Sequence, residues 1–219
     1  MSFPLYAPCD LLEGDLMYNI YQIFIMTALI SFMGFCLEEV WLCATKGYID
    51  NRNMNTPFLL GYGLAVVGMY YVIGTPHDMR FLCIFPIEGS RSYVLICYAV
   101  TTGLLVSLGE MLLGTLTEKI SGVVWWNYTW IPLHVTKYTS VPTSIGFALI
   151  ITLFMDQCFD PVMEVISRIA PDTARNAGII LISLITLDFV VCMNKIRKTG
   201  HLNITWRYEP HVLKGYIKK

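Results

Sequence analysis

The chain has 219 residues, 55% of them apolar and 14% charged, with a mean hydropathy of +0.57, a net charge of −1 and a pI near 6.4. An ordinary soluble domain carries about 25% charged residues, so this composition belongs to a membrane protein. It excludes a disordered chain, a coiled coil and, with no surplus of basic residues, a nucleic-acid-binding module.

Residues 1–15 contain Asp10, Glu13 and Asp15 but no Lys or Arg, which is unlike the basic start of a cleavable signal. The first long apolar run covers about residues 20–43 and is broken only by Glu38 and Glu39 near its end. Pro57 suits the first turn of a helix and opens a second run at 57–73, which Gly74, Pro76, His77 and Asp78 stop. Phe81 to Arg91 is apolar, contains Pro86 and is too short to cross, so it reads as an interfacial or re-entrant connection. The third run, 92–114, continues as a helix through Glu118 and Lys119 to a break at Gly122.

Next comes the least regular stretch, in which Trp125, Trp126, Tyr128, Trp130 and Tyr138 crowd around Pro132 and His134. Such aromatics favour the membrane interface, and the segment is expected to fold back near the end of the third span. The fourth run is 142–159, followed by an amphipathic or loop segment with Asp160, Pro161, Glu164 and Arg168. The fifth, 177–193, carries Asp188 and leads into a basic tail, 195–219.

At roughly 20 residues per crossing, five spans use nearly the whole chain. They leave no room for a separate ATPase or extramembrane enzyme domain. The predicted fold is all-α: one integral membrane domain over 1–219, a polytopic helix bundle of about five transmembrane helices with an interfacial or re-entrant aromatic segment. Lys and Arg accumulate on the cytoplasmic side, so the tail puts the C-terminus inside and five crossings put the N-terminus outside. Gly61 with Ala65, and Ala99 with Gly103, are small pairs that let helices approach closely.

The cysteines at 9, 36, 43, 83, 97, 158 and 192 form no C-x-x-C and no Cys/His cluster, so neither a metal site nor a cofactor is expected. There is no G-x-x-x-x-G-K-[ST] run, no H-E-x-x-H and no G-x-S-x-G, and any nucleotide-driven step falls to a partner chain. Polar chemistry inside the bilayer therefore rests on carboxylates. Glu38 and Glu110 lie at comparable depths near the cytoplasmic ends of spans one and three. Facing each other, they would share a proton or hold a cation; in the plainer reading they pair with Arg52 or Lys119. Glu118 follows Glu110 by a little over two turns on roughly one face and either extends a carboxylate ladder or faces the cytoplasm. Asp188 has no basic neighbour within a turn, so its partner must come from another helix. The triplets Asn127-Tyr128-Thr129 and Asn203-Ile204-Thr205 match glycosylation acceptors, but the expected topology puts both inside, where they carry no meaning.

Two blocks carry a family resemblance. One is Gly34-Phe35-Cys36-Leu37-Glu38, then Asn51-Arg52, Pro57 and Tyr62-Gly63; the other is Glu110, Glu118-Lys119 and Trp125-Trp126-Asn127-Tyr128. They resemble the G-W-x-x-E, N-R-G, P-x-x-x-x-Y-G and W-W-D-Y patterns of the type IV ABC-transporter permeases, small membrane proteins of anaerobic Gram-positive bacteria. Phe35, Asn53 and Asn127 depart from the family's Trp, Gly and Asp, as in a divergent member. The resemblance implies a bacterial cell membrane, a permease role and a separate ATPase subunit or a homo-oligomer as partner, besides membrane lipids. It also implies that Glu38, Asn51, Arg52, Tyr62, Glu110, Glu118, Trp125, Trp126, Asn127 and Tyr128 are the positions to watch, with Asp188 added by the residues alone.

The leading expectation is a transport component with a carboxylate- and Trp-lined site near the cytoplasmic side. A second is an intramembrane enzyme acting on a lipid or isoprenoid, with Glu38 and Glu110 as acid and base. A third is a noncatalytic subunit of a larger complex.

Overall fold

The computed structural model describes residues 18–82 and 84–209. Cys9, Cys83 and the end of the basic tail, with Lys214, Lys218 and Lys219, lie outside the described residues. Six helices account for most of the chain: α1 Ile20–Lys46, α2 Leu60–Ile73, α3 Arg91–Ser121, α4 Val141–Gln157, α5 Phe159–Ser167 and α6 Pro171–Thr199. Two-residue strands β1 Ile49–Asp50 and β5 Arg207–Tyr208 pair with each other, while β2 Gly74–Thr75, β3 Asp78–Phe81 and β4 Phe85–Pro86 make a small antiparallel meander.

Local sequence sets the helix ends. Asn19 and Gln22 form a capping box on α1, Ser90 caps α3, and Ser140 with Thr143 does the same for α4, each supplying acceptors to orphan backbone N–H groups. The three long helices stop at Gly47, Gly122 and Gly200, all left-handed at φ 76°, 75° and 69°, a conformation that costs glycine little. α1, α3 and α6 are long and apolar enough to cross a membrane, and α4 with α5, bent by 49°, forms a broken fourth candidate. This is an all-α membrane bundle.

The second apolar run behaves differently from its sequence pattern. Pro57 precedes the helix instead of opening it, and α2 has only 14 residues, or roughly 21 Å at 1.5 Å per residue. That is short of the ~30 Å hydrocarbon core. α2 starts where the Leu59 amide donates to the Ser31 carbonyl at 3.0 Å, fifteen residues back from the end of α1 and so about 22 Å into the bundle. The chain between them, 47–59, dips in from the end of α1 before helix resumes. The segment 122–140 repeats the manoeuvre beside α3: Thr139 bonds to Glu110, eleven residues from the α3 terminus, and α4 starts there.

Irregular backbone survives at membrane depth only when it is buried in protein or lines a cavity, and the residues that anchor both dips are buried. Asp50, Asn51, Asn53, Met54, Ile131, Tyr138, Thr139 and Ser140 are all inaccessible. α1 packs on α2 and α6, and α3 on α4. Of the predicted small pairs, Gly61 packs against Leu113 and Gly103 against Ala148, and other glycines make still closer approaches. A Cβ on Gly34 would overlap the Tyr62 ring, one on Gly63 the Thr27 carbonyl, one on Gly114 the Tyr138 ring and one on Gly178 the Tyr21 backbone. At the opposite end, the expected connection before α3 is the β2–β3–β4 meander. Arg91 pins it by donating to the Pro76 carbonyl and pairing with Asp156. The segment after α4 is α5, which buries Phe159, Met163 and Ile166 in the core.

Candidate functional site

The first dip is held by side chains that replace helical hydrogen bonds. Asp188, 9% exposed, accepts from the Asn55 amide at 3.1 Å, the Asn55 side chain at 2.8 Å, the Thr56 amide at 2.8 Å and the Thr56 hydroxyl at 2.6 Å. Its partners therefore come from this connection rather than from another helix, and they include no cation. Asn51 donates to the carbonyls of Met54 and Asn203, both at 2.7 Å, and accepts from the Thr205 amide; Asn203 returns a bond to the Asn53 carbonyl. Asn203 is thus a buried cross-tie. Lys195, Arg197 and Lys198 of the predicted tail belong to α6, and residues 201–208 fold onto 48–55, where Arg207 lies over the Tyr48 ring.

With this connection fixed, Arg52 reaches α1. Its guanidinium donates to Glu38 at 2.8 Å, and the Tyr62 hydroxyl donates to the other Glu38 oxygen at 2.6 Å. Glu38 and Arg52 are 16% and 23% exposed, enough desolvation for loss of one partner to matter.

Glu110 lies beyond. It accepts from Thr139 at 2.8 Å and lies beside Tyr128, and no ion pair among the described residues includes it. Thr139 continues through Ser144, at 3.1 Å, to Ser107, at 2.7 Å. Tyr128 stands between the two carboxylates, near both Glu38 and Glu110. Glu38 and Glu110 make no hydrogen bond to each other, and each has its own partners.

The remaining predicted positions separate. Trp125 packs on Phe189 and Trp126 on Tyr138, whose carbonyl takes the Trp126 indole N–H at 3.0 Å. Asn127 turns the chain by accepting from the Thr129 amide. Glu118 is held by Lys137 at 2.7 Å and by the Tyr138 hydroxyl. Of the four-residue aromatic motif, only Tyr128 joins the carboxylates.

A cavity of about 180 Å³ opens against this cluster, in the gap between α1 and α4. Leu37, Glu38 and Trp41 of α1, Tyr62 of α2, Tyr128 and Ile131 of the second dip, and Gly146, Phe147 and Ile150 of α4 contribute to its wall. Tyr62 and Phe147 meet edge to face with centroids 5.8 Å apart. Trp41, Ile131, Phe147 and Thr139 drew no notice in the sequence because apolar residues and threonines are ordinary within such runs. The only available signal was the repeated spacing Pro57-x-x-x-Gly61-Tyr62 and Pro142-x-x-x-Gly146-Phe147.

Among the described residues, no group of three or more His, Cys, Asp or Glu is arranged to hold a metal ion. Fold and site define a multi-pass membrane protein with a small intramembrane cavity edged by a hydrogen-bonded carboxylate. Residues 24–193, more than three quarters of the chain, match the family model described as "Putative ABC-transporter type IV". The chain belongs to this family and is a transport-related membrane component. Comparison with curated proteins and with solved structures found no match. Membership also gives sense to one departure: Asn53, where the family pattern has Gly after Asn-Arg, sits at φ 69°, and Asn is among the few residues other than Gly that tolerate that conformation.

Proposed function

We propose that this chain is the membrane-spanning component of an ABC-type transport assembly in a bacterial cell membrane, energised by a separate ATPase subunit. Glu38, Arg52, Tyr62 and Tyr128 are its substrate-handling site, with Glu110 behind them. The observation that carries this reading is Glu38 at the cavity wall, bonded to Arg52 from the first dip and Tyr62 from α2. Interrupted helices whose irregular segments line a central site are a recurring solution in transporters.

In the topology we propose, 47–59 and α2 together make one discontinuous crossing, giving five. The ends of α1, α3 and α6, with Lys46, Lys119, Lys195, Arg197 and Lys198, are cytoplasmic, and the N-terminus is outside. Asn51, Asp188, Trp125 and Trp126 serve as positioning residues that hold the two dips.

Affinity purification of the full chain from its native membrane in mild detergent tests the assembly. An ATP-hydrolysing chain should leave with it, and recovery of the chain without one under conditions that retain other ABC complexes overturns the reading. Glu38→Gln should keep that partner while ATP hydrolysis in native-lipid vesicles loses its coupling to the membrane component; full coupling in both Glu38→Gln and Glu110→Gln removes the site. The Ser107–Ser144–Thr139 hydroxyl chain ending on Glu110 favours a second reading, an intramembrane enzyme with Glu110 as general base. Turnover of a native lipid without ATP, lost in Glu110→Gln, would establish it instead.

A further inference from the structure

The cavity combines three features that together select a ligand class. Its mouth lies on the lipid-facing surface, since Trp41 and Ile150 are each 47% exposed on helices that face the bilayer. Its wall is mainly apolar, and it includes the rings of Trp41, Tyr62, Tyr128 and Phe147. Negative charge exceeds positive around Tyr128 at its inner end: Glu38 in the wall and Glu110 behind it face Arg52. Of these, Glu110 accepts only from the Thr139 hydroxyl. Arg52 is already committed to Glu38 and Asp50, so an anionic headgroup would meet no free cation here.

An uncompensated carboxylate in a low dielectric favours an incoming cation, and aromatic walls add cation–π attraction, which strengthens as water is excluded. We infer that the cavity binds a cationic amphiphile that enters sideways from the bilayer, its hydrocarbon chain in the α1–α4 gap and its ammonium-type head among Tyr62, Tyr128 and the carboxylates. The inference rests on the reading of this cavity as the substrate site.

Gly146 supplies a clean test, because a Cβ there meets nothing within 4 Å. Replacing it with Leu starts a branched side chain from an open position in the cavity wall, and it restores helix propensity that Gly lacks. The full chain in a nonionic maltoside detergent is titrated with dodecyltrimethylammonium and, separately, with dodecyl phosphate, by tryptophan fluorescence and equilibrium dialysis. Saturable one-site binding of the cation is expected, with the anion of equal chain length at least about tenfold weaker. Gly146→Leu should abolish saturable binding with its unfolding temperature retained, and Glu110→Gln should weaken it about tenfold.

Absent binding of the cation, equal affinity for the two headgroups, or undiminished binding by Gly146→Leu overturns the inference. The ATPase co-purification reads out separately. A chain that keeps its ATPase but binds no cation loses the ligand class alone, and one that binds the cation without an ATPase loses the transporter assembly alone.

Discussion

Two places in the bundle use the same four-part arrangement. Gly34 accepts the ring of Tyr62, and the Tyr62 hydroxyl bonds to Glu38, four residues on, which also takes a cation from the following connection, Arg52. Gly114 accepts the ring of Tyr138, whose hydroxyl bonds to Glu118, again four residues on and again paired with a cation from the connection, Lys137. In both, the missing side chain lets a tyrosine lie flat on the helix, and one helical turn brings the glutamate under its hydroxyl. Depth separates them. The Glu38 and Arg52 side chains are 16% and 23% exposed and adjoin the cavity, whereas Glu118 and Lys137 are 34% and 40% exposed at the bundle end. The cation also differs: Arg holds its fork in place when desolvated, while Lys is a solvated point charge. One local device therefore serves as the edge of a site in one place and as a rim latch in the other, and only its surroundings distinguish the two.

The largest expected effect probes what holds each dip. The first depends on Asp188 across the bundle; the second is closed largely by its own bonds, such as Tyr128 N–H to the Lys137 carbonyl and Trp126 to the Tyr138 carbonyl. Asp188→Ala orphans two backbone amides and the Thr56 hydroxyl and should cost about 3–5 kcal/mol, read as a fall in unfolding temperature in detergent. Trp126→Phe, which removes one bond of the second dip, should cost about 1 kcal/mol. Comparable losses would erase the distinction.

Next comes the cation pair. Arg52→Ala leaves Glu38 desolvated with one phenol and should destabilise by about 3 kcal/mol, whereas Lys137→Ala should leave the unfolding temperature unchanged within error. A smaller contrast is expected at the glycines. Gly34→Ala forces apart a tyrosine fixed within α2, costing about 1–3 kcal/mol. In Gly114→Ala the opposing tyrosine sits on a non-helical segment that can shift, so the loss should be smaller.

The smallest effect is one of pH. The hydrogen bond from Lys137 to Glu118 holds the lysine pKa above its ordinary 10.5. While Glu118 is ionised, the latch should therefore remain complete up to that pH and be lost as pH rises through the raised value. Tryptophan fluorescence of the 122–140 segment should change there in the wild type and not in Lys137→Ala.

Much of this arrangement was legible beforehand. Hydropathy runs mark α1, α2, α3, α4 and α6, Gly122 marks the end of α3, and Glu38, Glu110 and Asp188 stand out because charge in lipid demands an explanation. Arg52 is one of two basic residues within sequence reach of the carboxylates, and the crowded aromatics point to a folded 122–140 segment. The two dips were not legible. Pro57 and Pro142 look alike in sequence, yet Pro142 lies in the first turn of α4 and Pro57 stands outside α2. What decides between them is whether partners elsewhere satisfy the preceding backbone. For 51–56 those partners are Asp188 and Asn203, more than 130 residues away.

By itself, then, the sequence determined that the chain is an apolar helical bundle, where its long helices run, and which few charged groups lie within them, because these follow from composition and local periodicity. Tertiary structure alone decided that helix is interrupted at 47–59, that Asp188 and Asn203 are scaffold while Glu38 edges a cavity, and that Glu110 is bonded to a hydroxyl and not to a cation. Those outcomes depend on which distant donors and acceptors meet once the helices pack, and no local pattern encodes that meeting.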